Sequence, residues 1–454
     1  MIKTTDRRKI LGLFFFVLIA VTSYIFLVQF AAVAPAQLRV NVGDKVALDN
    51  LFPGCISTRL TARVFEEEGV LQWREGKKQN FSLLQKESPI AAVPGDVKLD
   101  LRLFGVIPFK KVTLQVVPPV KVMAGGHSIG VLLTADGVMV VGYSHITLEN
   151  GSKVCPAKEV DLLPGALILN VEGTAVHSDL HLSYLIDHLA RKKEEIRLRV
   201  KYQEKTKEIK VKPQFCRETR RYRIGLLVRD GAAGVGTLTF YDSKTKKFGA
   251  LGHIITNSGA PGAWDFKNGR IVPASVQSIQ KGQPGKIGEK IGFFGEKGIS
   301  GNITKNTQFG IFGELRYNLA NPIFSKPLPV AMGHQVKEGP ATILTVLKNE
   351  KIEAFQVSIQ TVFSRPRSDG KALIIKVTDQ KLISKTGGII QGMSGSPIIQ
   401  EGKLVGAVTH VLINDPTKGY GVLAEVMLEE AGLLSERKEG VSGGFSSVVS
   451  GNRI

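Results

Sequence analysis

Apolar stretches in this chain are short, and glycine interrupts them: 49 of its 454 residues are glycine, against 8 tyrosines and 2 tryptophans. Glycine supplies the positive φ of tight turns, so this punctuation favours many short strands over long helices. At 43% hydrophobic residues the chain can bury sizeable cores, and its length allows two or three domains of about 100–200 residues each. A mainly β, globular fold is expected.

One apolar stretch is long. Behind Arg7-Arg8-Lys9 a run from Ile10 to Ala36 is interrupted only by mild residues such as Thr22, Ser23 and Gln29. That is enough to cross a bilayer, and the preceding positive charges place the N-terminus in the cytoplasm. Ala32-Val33-Ala34 and Ala34-Pro35-Ala36 also have the spacing of a signal peptidase site, but the run exceeds an ordinary signal core. Residues 1–36 are therefore expected to be a cytoplasmic stub and a transmembrane anchor. Either way the working part is exported.

The formal charge of +20 raises nucleic acid as a partner. Its basic residues are scattered, without the interleaved aromatic residues of a nucleic-acid motif, so no nucleic-acid partner is expected. Attraction to an anionic membrane or cell-wall polymer is the functional alternative to a merely solvated basic surface. Cys55, Cys155 and Cys216 are too few and too far apart for a metal cluster or a disulfide scaffold, which leaves buried structural thiols and at most one bridge. Neither cofactor nor metal is expected.

Residues 37–119 alternate short apolar segments with turns, as at Leu38–Val46, Leu60–Phe65 and Leu99–Val106, and Pro118-Pro119 closes this small β-rich domain. Residues 120–213 contain Gly126-His127-Ser128-Ile129-Gly130-Val131, a second apolar run at Gly137–Val141, and Leu163-Pro164-Gly165-Ala166 leading into Leu167–Val171. A helix is predicted from Leu180 to Lys192, with Leu182, Leu185, Ile186 and Leu189 at helical spacing, before a strand near Ile196–Tyr202. This order resembles a PDZ domain. Such domains add a peptide as an extra strand, which implies Ser128, Ile129, Gly130 and Val131 as the loop facing a terminal carboxylate. His127 and His145 read as surface or packing residues. Residues 214–435, opening with Arg217, Arg220, Arg221 and Arg223, are strand-like and glycine-rich, and 436–454 has the composition of a flexible tail.

The stretch Gln391-Gly392-Met393-Ser394-Gly395-Ser396-Pro397 carries the chemistry. Small residues around Ser394 let backbone N–H groups converge on a reacting carbonyl, as in the nucleophile loop of chymotrypsin-like proteases, although Met393 stands where those usually have aspartate. A base must lie near the hydroxyl. His253, His334 and His410 are available, and His253 is favoured because it precedes the serine and sits in the small-residue turn Gly249-Ala250-Leu251-Gly252. Asp379, fifteen positions before Ser394, is the candidate orienting acid, with Asp265, Glu314 and Asp369 in reserve; a turn acid is the plain alternative for Asp379.

Leu251-Gly252-His253-Ile254, Val377-Thr378-Asp379, the stretch from Thr386 to Gln400 and that from Gly402 to Val411 resemble the SpoIVB peptidases of endospore-forming bacteria. So does the order of anchor, PDZ segment and peptidase. That resemblance implies a chymotrypsin-like double β-barrel at 214–435 and a triad of Ser394, His253 and Asp379, with the amides of Gly392 and Ser394 as oxyanion donors. It implies a membrane-tethered enzyme in the space between forespore and mother-cell membranes that cleaves itself and a SpoIVFA-like membrane regulator of an intramembrane protease, so that pro-sigma-K is processed. A non-catalytic PDZ scaffold and an HtrA-like quality-control protease are the alternatives; in the latter group the protease precedes the PDZ domain.

Overall fold

A computed structural model describes residues 11–18, 21–22, 29 and 36–434, with gaps at 47, 49–51, 53, 66–68, 74–79, 84–87, 203–204, 257–265, 267, 296–297, 364–366 and 368. Most of the expected anchor and all of the 436–454 tail lie outside the described residues. Among those described, no helix is long and apolar enough to cross a membrane.

Residues 37–117 build a five-stranded sheet in the order Gln37–Asn41, Ile107–Val117, Gly95–Leu103, Leu60–Phe65, Asn80–Ser82, parallel at the first pair and antiparallel beyond it. Alternation forms its inner face: Val97, Leu99 and Leu101 pack with Leu60, Ala62 and Leu114, while Lys98 faces solvent. Arg39, between Leu38 and Val40, points the other way. Its guanidinium grips Glu429 with two hydrogen bonds, Nη1 to Oε2 at 3.0 Å and Nη2 to Oε1 at 3.3 Å, in a fork that ties this sheet to the helix Ala424–Glu430.

Two 16-residue strands, Ser128–Tyr143 and Leu226–Tyr241, run antiparallel from the pair Tyr143 and Leu226 to the pair Ser128 and Thr237. Between them in sequence, Leu167–Val171, Ile196–Tyr202 and Lys205–Val211 pair in that order. The predicted helix spans Asp179–Ala190; Ser178 Oγ caps it by accepting from His181 N–H at 3.1 Å, and Leu182, Leu185 and Ile186 are buried beneath it.

Beyond this segment the long strands close a barrel. Ser128–Tyr143 pairs with Asn268–Gln280, which leads through Gly301–Thr307, Gly310–Leu315 and Lys247–Ala250 to Leu226–Tyr241 and back to the first strand. A second closed barrel follows the order Gly339–Val346, Ile352–Val362, Leu373–Val377, Asp415–Leu423, Lys403–Leu412, Pro397–Gln400. Closure leaves neither ring an open edge.

This topology corrects two expectations. Gly130 pairs with Val235 on one side and Val272 on the other, Ile129 and Val131 are likewise paired on both sides, and Ser128, Ile129 and Val131 are buried. Strand backbone already paired on both edges has no N–H row for a peptide carboxylate, so Ser128, Ile129, Gly130 and Val131 are barrel wall and not a binding loop. The expected boundaries at 120 and 213 shift for the same reason: the helix-bearing segment is inserted between two strands of the first barrel. Cys155 and Cys216 are free, buried thiols.

Candidate active site

A cleft of about 710 Å³ separates the barrels, lined from the first by Leu251 and His253 and from the second by Gly392, Ser394, Thr409 and His410. The serine loop reaches it through a turn that only glycine can make. Gly395 has φ 91°, and a Cβ there would lie 2.0 Å from Thr237 O and 2.5 Å from Leu251 N. Serine loop and histidine turn are thus in backbone contact. Most loop amides are spoken for: Gln391 N–H donates to Gly288 O at 2.8 Å, Met393 N–H to Ile390 O at 3.1 Å, Gly395 N–H to Val408 O at 2.7 Å and Ser396 N–H to Met393 O at 2.9 Å. The N–H groups of Gly392 and Ser394 meet no acceptor among the described residues. Two free donors in one tight turn are the arrangement that can hold an oxyanion.

Met393 is fully buried in the second barrel's core. An aspartate at that position would require its own buried partner.

His253 follows the strand Lys247–Ala250 through Leu251 and Gly252, at φ 67° and 71°. A Cβ at Gly252 would sit 2.9 Å from Thr409 Cγ2, so the histidine turn packs on the strand that follows the serine loop. His253 Nδ1 lies 2.8 Å from Ile254 O. A carbonyl only accepts, so Nδ1 carries the proton and Nε2 keeps its lone pair, the tautomer a general base needs. Burial lowers the imidazole pKa below its ordinary value, against the opposing pull of that carbonyl. The His410 ring lies 4.7 Å from that of His253 and is held down to about 4, first by desolvation and then by repulsion from His253 and Lys371. Both rings are neutral at pH 7. Ser394 Oγ donates to Thr409 O at 2.8 Å, so reaching His253 requires the hydroxyl to leave that carbonyl.

Asp379 is not brought to this cleft. It caps the helix Gln380–Thr386, with Oδ1 accepting from Leu382 N–H at 3.0 Å and Oδ2 from Gln356 N–H at 3.3 Å. The expected orienting acid is therefore corrected to a helix cap; among the described residues no carboxylate bonds to His253. Asp379→Ala is expected to cost about 1 kcal/mol in thermal unfolding and Asp379→Asn much less. Asp379→Asn should also retain cleavage within a few-fold; lost activity with unchanged melting would show that the carboxylate reaches His253 during catalysis. Among the reserves, Asp265 lies outside the described residues and Glu314 is exposed on Gly310–Leu315. Asp369 partly opposes the lowered pKa of His410 but is engaged by Lys371 at 2.8 Å. His334 lies apart, beside Asp44 and Lys403, with burial lowering its pKa to about 4. No group of His, Cys, Asp or Glu side chains suited to a metal occurs among the described residues.

Two groups at the site escaped the sequence reading as functional residues. Thr237 Oγ1 donates to Gly392 O at 2.7 Å, and Lys290, buried behind the loop, donates to the same oxygen at 3.1 Å. Thr237 comes from the first-barrel strand Leu226–Tyr241 and Lys290 from Glu289–Phe294, which pairs with that barrel's Asn268–Gln280, and nothing near them in sequence marks them.

Attack by a hydroxyl under a neutral histidine, with free amides waiting for the oxyanion, is the chemistry of a serine peptidase. Residues 220–428 match the family model described as SpoIVB peptidase S55. Among solved structures the chain is similar to the active form of the Rv3671c protease from M. tuberculosis, at 15% identity over 45% of this chain and 76% of that one with a TM-score of 0.25. It is similar to the protease Anisep from Arthrobacter nicotinovorans, at 13% identity over 44% and 90% with a TM-score of 0.27. A thermostable serine protease, AL20, from an extremophilic microorganism matches at 12% identity over 44% and 89% with a TM-score of 0.26. No curated protein matches the chain in a sequence search.

Proposed function

We propose that the protein is an exported, membrane-tethered signalling endopeptidase with Ser394 as nucleophile and His253 as general base. The observation that carries this is the cleft itself: both side chains line it beside the only two loop amides, among the described residues, left without acceptors. His253 Nε2 takes the hydroxyl proton as Oγ attacks a peptide carbonyl, and the amides of Gly392 and Ser394 receive the oxyanion. The proton then passes to the leaving amine, and water hydrolyses the acyl-enzyme by the reverse path. A carbonyl dipole at Nδ1 stabilises the imidazolium less than a carboxylate would, which suits an enzyme that makes few cuts in one substrate.

The match of residues 220–428 to the SpoIVB peptidase model supports a sporulation role. In this reading the enzyme acts between forespore and mother-cell membranes, cleaves itself, and cleaves a SpoIVFA-like membrane regulator so that pro-sigma-K is processed. The inserted segment acts as a PDZ-like module. Its peptide groove is the space of about 350 Å³ between Leu182 and Ile186 of the helix and Ile224, Leu226 and Val228. Holding a scarce membrane substrate there raises its effective concentration at the cleft. Purified protein is expected to cut a peptide from the regulator and leave casein intact. Efficient degradation of casein would favour the quality-control alternative instead.

A further inference from the structure

Two successive carbonyls of the serine loop are held by one residue of the Glu289–Phe294 strand. Lys290 N–H donates to Gln391 O at 3.0 Å, and Lys290 Nζ donates to Gly392 O at 3.1 Å and to Thr345 Oγ1 at 2.7 Å. Thr237 Oγ1 adds a second donor to Gly392 O at 2.7 Å. A trans peptide sets its C=O and N–H on opposite sides. Drawing Gln391 O onto the strand therefore turns Gly392 N–H away from it, and drawing Gly392 O inward fixes the next peptide plane. The lysine stem is the floor of this turn: Gly392 has φ 91°, and a Cβ there would lie 3.0–3.2 Å from three Lys290 side-chain carbons.

We propose that Lys290 is a positioning residue that sets the oxyanion-binding conformation of residues 391–394, where Met393 supplies no carboxylate to do so. The proposal rests on the reading of Ser394 as nucleophile. An ammonium in this place is not explained by stability. Lys290 is 5% exposed, burial alone brings its pKa down to about 7, and among the described residues no carboxylate pairs with it. An apolar residue of the same length is then expected to be as stable or more so. A group that costs stability beside reacting atoms is the mark of a functional trade-off.

The test uses the full chain, Lys290→Met and Thr237→Val, with melting temperature, kcat and KM on a peptide substrate, and affinity for a peptide aldehyde of the same sequence. Lys290→Met is expected to melt no lower than the parent and to lose kcat on the order of a hundredfold, as for loss of one oxyanion donor. KM should stay within a few-fold, and aldehyde affinity should weaken by about the same factor as kcat while product-peptide affinity holds. Thr237→Val should move in the same direction. Parental kcat in Lys290→Met, or a loss no larger than its unfolded fraction, overturns the proposal; if that variant does not fold, unchanged kcat in Thr237→Val does so. Labelling of the parent at Ser394 by a fluorophosphonate separates the two levels. A labelled, active parent with an indifferent Lys290→Met sinks the positioning role alone, and a parent unlabelled at Ser394 sinks the nucleophile reading and this proposal with it.

Discussion

Ser394→Ala is expected to leave a folded protein that no longer cleaves a peptide substrate. Its hydroxyl makes one hydrogen bond, to Thr409 O, from a half-buried position, so its removal should cost no more than about 1 kcal/mol of stability. Activity depends on that oxygen entirely, because no other described serine, threonine or cysteine combines this cleft, two free amides and a histidine across from it. Loss of the nucleophile in an enzyme of this class lowers kcat about a millionfold, with a remnant supplied by oxyanion binding. Measuring kcat beside a melting curve checks both halves. Serine-dependent cleavage persisting in the variant would remove Ser394 from the mechanism.

His253→Ala should be nearly as damaging, since nucleophile and base act as a unit and losing either costs about as much as losing both. The base works only when neutral. Burial sets its pKa below the ordinary 6.5 despite the Ile254 carbonyl, so the neutral fraction rises as pH climbs through that lowered value. kcat/KM is therefore expected to rise on a limb whose midpoint lies below pH 6.5 and to be flat above neutrality. Because His410 is held at about 4, it adds no second limb near pH 6. A limb centred above 6.5 would mean that a carboxylate or another anion faces His253 in the working enzyme.

What could be read from sequence was what has a local signature. Ser394 and His253 could be found because close backbone approach demands glycine at 252, 392 and 395, and glycine is visible in a string of letters. The helix at 179–190 was legible from its apolar spacing, and the structure adds its Ser178 cap. Asp379 shows the limit of this: a carboxylate directly before the helical run Gln380–Thr386 is a cap signature as much as a triad signature, and only the hydrogen bonds to Leu382 and Gln356 decide it. Ser128–Val131 was misplaced because its partners Val235 and Val272 lie more than a hundred positions away, where no local pattern reaches.

Lys290 was the hardest to see. Alternation in Glu289–Phe294 shows which residues share a face but not which face is inward. Here Ile291 and Phe293 are 48% and 71% exposed while Lys290 is 5% exposed, the reverse of what hydropathy alone suggests. Thr345 and Gly392, which receive its ammonium, belong to the other barrel and meet it only once both rings have closed.

The central claim is that Ser394 attacks under the control of His253. Fluorophosphonate labelling of the parent protein and of His253→Ala, with the modified peptide located by mass spectrometry, tests it most directly. A single adduct on Ser394 that is lost in His253→Ala is the predicted result; an adduct on another residue, or equal labelling of Ser394 without His253, would contradict it.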